Sequence, residues 1–431
     1  MAARESSSSR TLMDALRDNP EWRRLYFART ISLVGNWLNT LAIVHLLGSG
    51  EHSSALALAL VFVLKQVPVT VFGPAAGVVA DRYQRRNIMV VVDVLSATLV
   101  LGFLFAHPGG SHVYIYALTL LQIGAVTYFD PAYRATVPDI VREDDLVAAN
   151  ALSAVTWSAT FAVGTALGGL VLYLFGWRVA FALDAATYIV SALLIRSLRA
   201  PGPAPRARGI SVGLMGLLGI DEMIAGVRYV LRTPAVRSII VVKFIWGIMG
   251  ALTLFLTLLG AQPGYRIFGS GDMGISFLWF CRAIGTGAGP PIARHFARGD
   301  ERRLRLSIAI GFAIAIAFYA VIPLMPTFWL AGLSVGVAHV GGSMVWVMST
   351  VLLQQRVPSE YRGRTFAAEL GLVMLASSAS HLVYATLLDH TALTLTGAIP
   401  LAAGVCAIFA AFWVVRVALP KTPVMASAAG V

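Results

Sequence analysis

The stretch GVVADRYQRRN, residues 77–87, packs Asp81, Arg82, Arg85 and Arg86 into six positions. Before it runs VPVTVFGPAAG, which has no charge; after it runs NIMVVVDVLSATLVLGFLF, whose one charge is Asp93. Two apolar runs joined by so short and charged a link predict a pair of helices that cross a membrane and turn at its surface. A helix of about 20 apolar residues spans the roughly 30 Å hydrocarbon core. The whole chain has this character: of 431 residues, 58% are hydrophobic and 13% charged, where soluble domains carry about 25% charged residues. The N-terminal MAARESSSSR lacks an apolar core, so no cleaved signal peptide is expected. Cys281 and Cys406 fall in apolar spans and read as packing residues. No Cys/His spacing suits a metal, and neither metal nor cofactor is expected.

Twelve spans are read, at roughly 26–48, 54–76, 88–106, 112–132, 147–174, 178–196, 238–260, 273–293, 304–322, 327–353, 365–388 and 395–418. Spans five and ten exceed the minimum crossing length, which predicts tilt or a kink there. An even number of crossings puts both termini on one face. The connections of that face hold 27 of the 33 Lys and Arg residues, and the opposite connections hold two, Arg178 and Arg266. By the positive-inside rule the basic face, with both termini, is cytoplasmic. The net charge of +12 is then a topology signal, and nucleic acid is not an expected partner. A multi-pass protein of a bacterial cytoplasmic membrane is expected.

The chain divides into a segment 1–25, a six-span half 26–196, a connection 197–237, a second six-span half 238–418 and a tail 419–431. The connection opens with RAPGPAPRARG, flexible or extended by composition. In the following GLMGLLGIDEMIAGVRYVLR, Ile220, Ile224, Val227 and Leu231 share a helical face, away from Asp221, Glu222, Arg228 and Arg232. Two readings fit that face: a helix lying on the membrane surface, or one packed on the protein's own underside. The halves repeat weakly. TVPDIVREDDLVAAN follows span four and RVPSEYRGRTFAAE follows span ten, matching Val137, Pro138, Arg142, Ala148 and Ala149 to Val357, Pro358, Arg362, Ala367 and Ala368. GPPIARHFARGDERR, 289–303, is a blurred copy of the opening stretch. Six plus six spans with matched loops predict a parallel duplication, a transporter architecture.

GVVADRYQRR resembles the G-x-x-x-D-R-x-G-R-R loop of the major facilitator superfamily; Gly77, Asp81, Arg82, Arg85 and Arg86 match, and Gln84 replaces a Gly. NPEWRRLYFARTISLVGNWL, YFDPAYRATVPDIVREDDLVAANAL and VPSEYRGRTFA are similar to the branch that holds the enterobactin exporter and macrolide-efflux proteins. The resemblance covers nearly the whole chain. It implies an all-α integral membrane protein of twelve transmembrane helices in two pseudo-symmetric six-helix halves. It also implies a cytoplasmic gate of Gly77, Asp81, Arg82, Arg85, Arg86, Arg142, Arg362, Arg364 and Glu369. In that gate Asp81 would accept hydrogen bonds at the N-terminus of the eleventh helix, near Arg364 and Thr365. Gly77 would let helices two and eleven approach closely. The arginines would bind helix C-termini or acids such as Glu143 to Asp145. Two departures bear on coupling. Span five reads AVGTALGG, with Thr165 where antiporter branches often carry Pro; Gly164, Gly168 and Gly169 still predict close packing against span eight. Span four offers Gln122 where several proton antiporters carry an inward Arg. Proton coupling therefore comes from family habit, with Asp93, Asp130, Asp184 and Glu369 as candidates. Asp93 and Asp184, on the peripheral spans three and six, read first as structural partners.

Ionisable groups at mid-membrane are costly and mark function by default. Lys65 lies halfway along span two, beside Gln66; Arg282 lies near the middle of span eight, and Lys243 about two turns into span seven. Polar stripes point to the same cavity: Ser32, Asn36, Asn39 and Thr40; Trp246, Thr253 and Thr257; His339, Ser343, Trp346 and Thr350. Helix–helix hydrogen bonds would explain the stripes equally well. With no acid placed opposite, Lys65, Arg282 and Lys243 favour an anionic or catechol-like ligand over a lipophilic cation, and the aromatics suit a ring. The alternative is that Lys65 or Arg282 pairs with Asp93, Asp130 or Glu369. His52, His107, His112 and His390 read as scattered outer-face residues.

The function expected is secondary-active export of a small organic molecule, siderophore-like or otherwise anionic and aromatic, across the lipid bilayer, with protons as the coupling ion. Multidrug or macrolide efflux, or import on the same fold, are the alternatives. An enzyme would need a constellation such as H-E-x-x-H, and an ATP-driven pump a G-x-x-x-x-G-K-[ST] loop; neither occurs.

Overall fold

The computed structural model describes residues 12–48, 54–199, 220–297 and 300–419. The linker RAPGPAPRARG (beyond Arg199), His52 and the tail from 420 lie outside them. Regular structure among the described residues is helical, apart from one bridge between Ile267 and Ser270.

A short α1 (Leu12–Asp18) precedes the first span, α2 (Pro20–Gly48). The second and third spans are α3 (Ala55–Arg82) and α4 (Arg85–Gly102), so the charged stretch is a turn with only Tyr83 and Gln84 outside helix. The fourth span is broken into α5 (His112–Val126) and α6 (Phe129–Ile140). Pro131 explains the break, because it has no N–H to return to the Thr127 carbonyl. The fifth and sixth spans form α7 (Leu146–Arg196), which reverses at Gly176, where a φ of 77° suits glycine. After α8 (Ile220–Arg232), the seventh span is α9 (Pro234–Ile248) and α10 (Leu252–Ala261). The last five are α11 (Gly271–Ala297), α12 (Glu301–Val321), α13 (Phe328–Arg356), α14 (Ser359–His390) and α15 (Leu395–Trp413). Among the described residues, ten helical stretches are long and apolar enough to cross a membrane. The 54-residue one, Glu143–Arg196, crosses twice about Gly176. Gly271–Ala297, with 27 residues and therefore about 40 Å long, completes the twelve.

Kinks fall elsewhere than span length predicts. Span ten is one uninterrupted 29-residue helix, and the breaks are in spans four and seven. In span seven the chain leaves the helix at Met249–Ala251, where Gly250 presses against Ser377 of α14.

The halves meet along two helix pairs, α3 with α14 and α7 with α11. The small residues of AVGTALGG serve this contact only in part. Gly164 and Gly168 lie against Trp37 and Leu41 of α2, and only Gly169 lies against Ser276 of α11. Within the first half, Trp37 also stacks on Phe161 at 4.1 Å. Helix α8 packs by one edge on the rest of the protein. Gly226 backs onto Arg364 and Tyr229 stacks on Tyr361 at 4.5 Å, so one edge packs on the second half. Ile224, Val227 and Leu231 stay exposed.

Candidate functional site

Two faces must be distinguished: the terminal face, where the α3–α4 turn and the chain ends lie, and the opposite face. The opposite face is closed. At the end of α14, the Asp389 carboxylate accepts the Ala55 N–H at 2.9 Å and the Leu56 N–H at 2.8 Å. These are orphan donors of the α3 N-terminus, whose next free N–H, that of Ala57, is capped by Ser54. His45 of α2 lies 2.9 Å from Asp272 at the start of α11. Both contacts join the halves, around a vestibule of about 490 Å³ that Arg266 and Gln262 also line. Deeper, Trp279 of α11 meets Trp37 edge-on at 6.3 Å and Phe62 at 6.1 Å.

At the terminal face no hydrogen bond or ion pair among the described residues joins the two halves. Asp81 is exposed and has no hydrogen bond or ion pair among the described residues; Arg82, Arg142, Arg362 and Arg364 are exposed as well. A Cβ added at Gly77 would meet nothing within 4 Å, so helices two and eleven do not approach there. Arg85 donates to the Ala135 carbonyl and to Asp139, both at 2.6 Å. Arg86 donates to the Leu198 carbonyl at 3.0 Å. These partners, two carbonyls and one carboxylate, all belong to the first half, and none reaches across to the second. Asp145, one of the acids considered for the knot, instead takes the Asn19 amide at 2.9 Å. Glu369 is not at this face either.

Glu369 lies deep in the second half, 2.7 Å from Lys243 Nζ. Lys243 also donates to Thr350 at 2.9 Å and sits 4.5 Å over the Trp346 ring. The two charged side chains are 5% and 3% exposed, so Lys243 is neutralised inside its own half. Lys65 is spoken for as well. It donates to Thr40, and the acid that acts on it is Asp184 of α7. Asn39 and Gln122 are fully buried in the same half, and Gln66 donates to the Phe62 carbonyl at 3.1 Å. Asn36 is half-buried, its carbonyl accepting from Thr40. Asp130 pairs with Arg29 at 2.5 Å. The pairings of Lys65 or Arg282 with Asp93, Asp130 or Glu369 are therefore not those of the structure: Asp130 and Glu369 face the nearer bases Arg29 and Lys243, and Asp93 makes no ion pair among the described residues.

That leaves Arg282. Its Nη1 donates to Thr253 at 2.6 Å, its Nε has no partner, and its guanidinium lies 5.5 Å from the Phe161 ring of the other half. No acid pairs with it among the described residues. His339 and His381 both lie in its field. His339 is hydrogen-bonded to Tyr319 and edge-on to Trp246 at 6.2 Å. Arg282, His339 and Trp246 thus share one neighbourhood, while Lys65 and Lys243 do not belong to it. Sequence reading missed His381, Tyr319, Phe161 and Trp37 here, and His45, Asp272 and Asp389 at the closed face. The glycine at 164 was a usable signal for the Trp37–Phe161 stack beside it.

A twelve-helix bundle in two halves, tied together at one face and with a mid-membrane cation beside the other half's aromatic ring, is the architecture of a membrane transporter. Residues 25–380 match the Major Facilitator Superfamily, and the chain belongs to that family. It is 24% identical to the putative bacilysin exporter BacE of Bacillus subtilis, over 83% of this chain and 87% of that protein. Macrolide efflux protein A of Streptococcus pyogenes is 23% identical over 82% and 85%, and the enterobactin exporter EntS of Shigella boydii 24% over 82% and 81%. A peptide transporter (POT) solved with alafosfalin shares the fold at a TM-score of 0.71 and 13% identity, over 94% of this chain and 98% of that one. The protein is a multi-pass membrane transporter of small molecules.

Proposed function

We propose that this protein is a secondary-active exporter that carries a small anionic, ring-bearing organic molecule out of a bacterial cell by alternating access, with protons as the coupling ion. The observation that carries the substrate class is Arg282: a mid-membrane guanidinium with no carboxylate beside it. Arg282 is half-buried and has Thr253 but no counter-ion among the described residues; a charge held partly out of water without one is costly, and an anionic ligand would supply it. Phe161, Trp246 and Trp279 around the site favour a ring. Export is supported by the relatives whose names make them exporters. The basic residues favour a cytoplasmic terminal face, and the lack of hydrogen bonds and ion pairs between the halves there fits a state that loads from the cytoplasm.

The test is thermal stabilisation of the purified protein by catecholates and aromatic carboxylates, set against lipophilic cations and macrolides. Anionic aromatics should stabilise the wild type and Lys65→Ala but not Arg282→Ala. If cations or macrolides alone stabilise, and Arg282→Ala changes nothing, multidrug efflux replaces this reading.

A further inference from the structure

Helix α8 is used on one side only. In IAGVRYVLR, residues 224–232, Gly226, Tyr229 and Val230 recur at helical spacing and make its inner edge. A Cβ at Gly226 would come within 2.5 Å of the Arg364 carbonyl, Tyr229 stacks on Tyr361 with the rings 3° from parallel, and Val230 is buried. Ile224, Val227 and Leu231 make a second row. At about 100° per residue its centre lies about 140° around the helix from the inner edge, with Arg228 and Arg232 along its flank. The three apolar residues are 46%, 43% and 61% exposed. With Arg228 and Arg232 they line a groove of about 410 Å³. Arg228, Arg232 and the nearby Arg237 are exposed, and no acid pairs with any of them among the described residues.

The joint to the seventh span fixes the level of this groove. Only Thr233 separates α8 from the membrane-crossing stretch Pro234–Ala261. The Thr233 N–H donates to the Tyr229 and Val230 carbonyls at 3.0 and 3.3 Å, and its own carbonyl accepts the Arg237 N–H at 3.0 Å. The Arg237 guanidinium donates to the Leu231 carbonyl at 3.4 Å. A joint bonded from both sides, on a helix packed against α14, holds α8 where the seventh span enters the bilayer. Exposed apolar rows mark interaction surfaces, and at this level a phospholipid meets both parts of the groove at once. Acyl chain covers the apolar row, as for helices that lie in the membrane interface. Phosphate oxygens take the two guanidinium forks, which match them in geometry and charge. A lipid of net negative charge complements the unpaired arginines; a zwitterionic one brings a cation of its own beside the phosphate.

We propose that this groove docks an anionic phospholipid of the leaflet at the terminal face. The phosphate sits on Arg228 and Arg232, and an acyl chain lies along Ile224, Val227 and Leu231. Because the inner edge of α8 bears on Tyr361 and Arg364, the docked lipid ties the first turns of α14 to that leaflet. The docking is independent of what the transporter carries and in which direction.

The experiment uses the full chain in phosphatidylcholine nanodiscs. A fluorophore on Leu231→Cys, with Cys281 and Cys406 replaced by Ala, is quenched by phosphatidylglycerol or by phosphatidylcholine carrying a nitroxide on the acyl chain, at equal fractions. Phosphatidylglycerol should quench several-fold more strongly. Arg228→Gln with Arg232→Gln should cut that preference about tenfold or more. Arg302→Gln with Arg303→Gln, also exposed at the terminal face, should keep it within about twofold, since the attraction is short-ranged. Added salt should lower the preference of the wild type; if the Arg228 and Arg232 variant does not fold, a preference that salt leaves unmoved overturns the proposal by itself. Equal quenching by both lipids reduces the groove to ordinary apolar contact. Quenching by neither gives it to the chain's own segment 200–219, to a second copy or to a soluble protein. An equal loss in the Arg302 and Arg303 variant reduces it to the diffuse field of a basic face. Each of these three outcomes overturns the proposal.

Discussion

Replacing Asp389 by Asn should open the closed face. Its carboxylate accepts two backbone N–H groups of α3, at 2.9 and 2.8 Å, across the boundary between halves. Hydrogen bonds to a charged group contribute about 1.5–3 kcal/mol each. An amide keeps one neutral acceptor and loses the attraction to the helix N-terminus, itself worth about 0.3–1 kcal/mol at an exposed site. Asp389 is exposed, so solvent trims the total, and about 2 kcal/mol is a fair figure. That is roughly a thirtyfold shift in the equilibrium between the two gating states. Spin labels report it directly. Gly48 and Gly264, and Gly77 and Gly363, each have open space where a side chain would go. Asp389→Asn should lengthen the 48–264 distance and shorten the 77–363 distance. Ser54→Ala is the control: it removes a cap within α3, costs about 1 kcal/mol of stability, and joins no halves. Unchanged distances in a stably folded Asp389→Asn protein, or equal effects of Ser54→Ala, would refute the reasoning.

Two further substitutions test the interior. Glu369→Gln leaves Lys243 charged and buried without its acid, and should lower stability by about 3–5 kcal/mol in thermal unfolding, whereas replacing both residues with Met should cost far less. Gly164→Val would drive a side chain into Trp37, since even a Cβ there comes within 2.8 Å of the indole. It should cost about 1–3 kcal/mol and show as a lowered unfolding temperature.

The parts of this fold that depend on local length and charge were readable in the sequence. Apolar runs set the spans, and arginine-rich turns such as 82–86 set which connections share a face. Contacts that depend on helix rotation were not. Lys65 and Asp184 are far apart in sequence, and a rotation of a third of a turn decides whether Lys65 faces Asp184 or the central cavity. Arg282 was legible for the opposite reason: no acid occurs near it on its own helix, so rotation could not hide a partner there. Pro131 marked the break in span four, yet its cue is overridden in many membrane helices, where neighbours satisfy the freed carbonyl. Asp389 was passed over because a charge at a helix end reads as ordinary surface solvation.

That missed residue explains the one first noticed. Helices α3 and α14 run antiparallel and pack against each other, and each carries an aspartate as its penultimate residue: Asp81 in α3, Asp389 in α14. Each helix therefore offers a carboxylate at its C-terminal end to the N-terminal end of the other. The 28-residue α3 is about 42 Å long, and packed helices shift as rigid bodies rather than stretch. Rocking that carries Asp81 to the start of α14 must draw Asp389 away from Ala55 and Leu56. Only one of the two can be made at a time, and here it is Asp389. We propose that the charge knot is the unlatched end of a two-ended switch. Asp81→Asn should leave the present state unchanged in the spin-label distances while depopulating the other. Combined with Asp389→Asn it should return the distributions toward wild type, because the two losses then fall on opposite states; a double variant that stays as open at 48–264 as Asp389→Asn alone would mean that Asp81 stabilises neither.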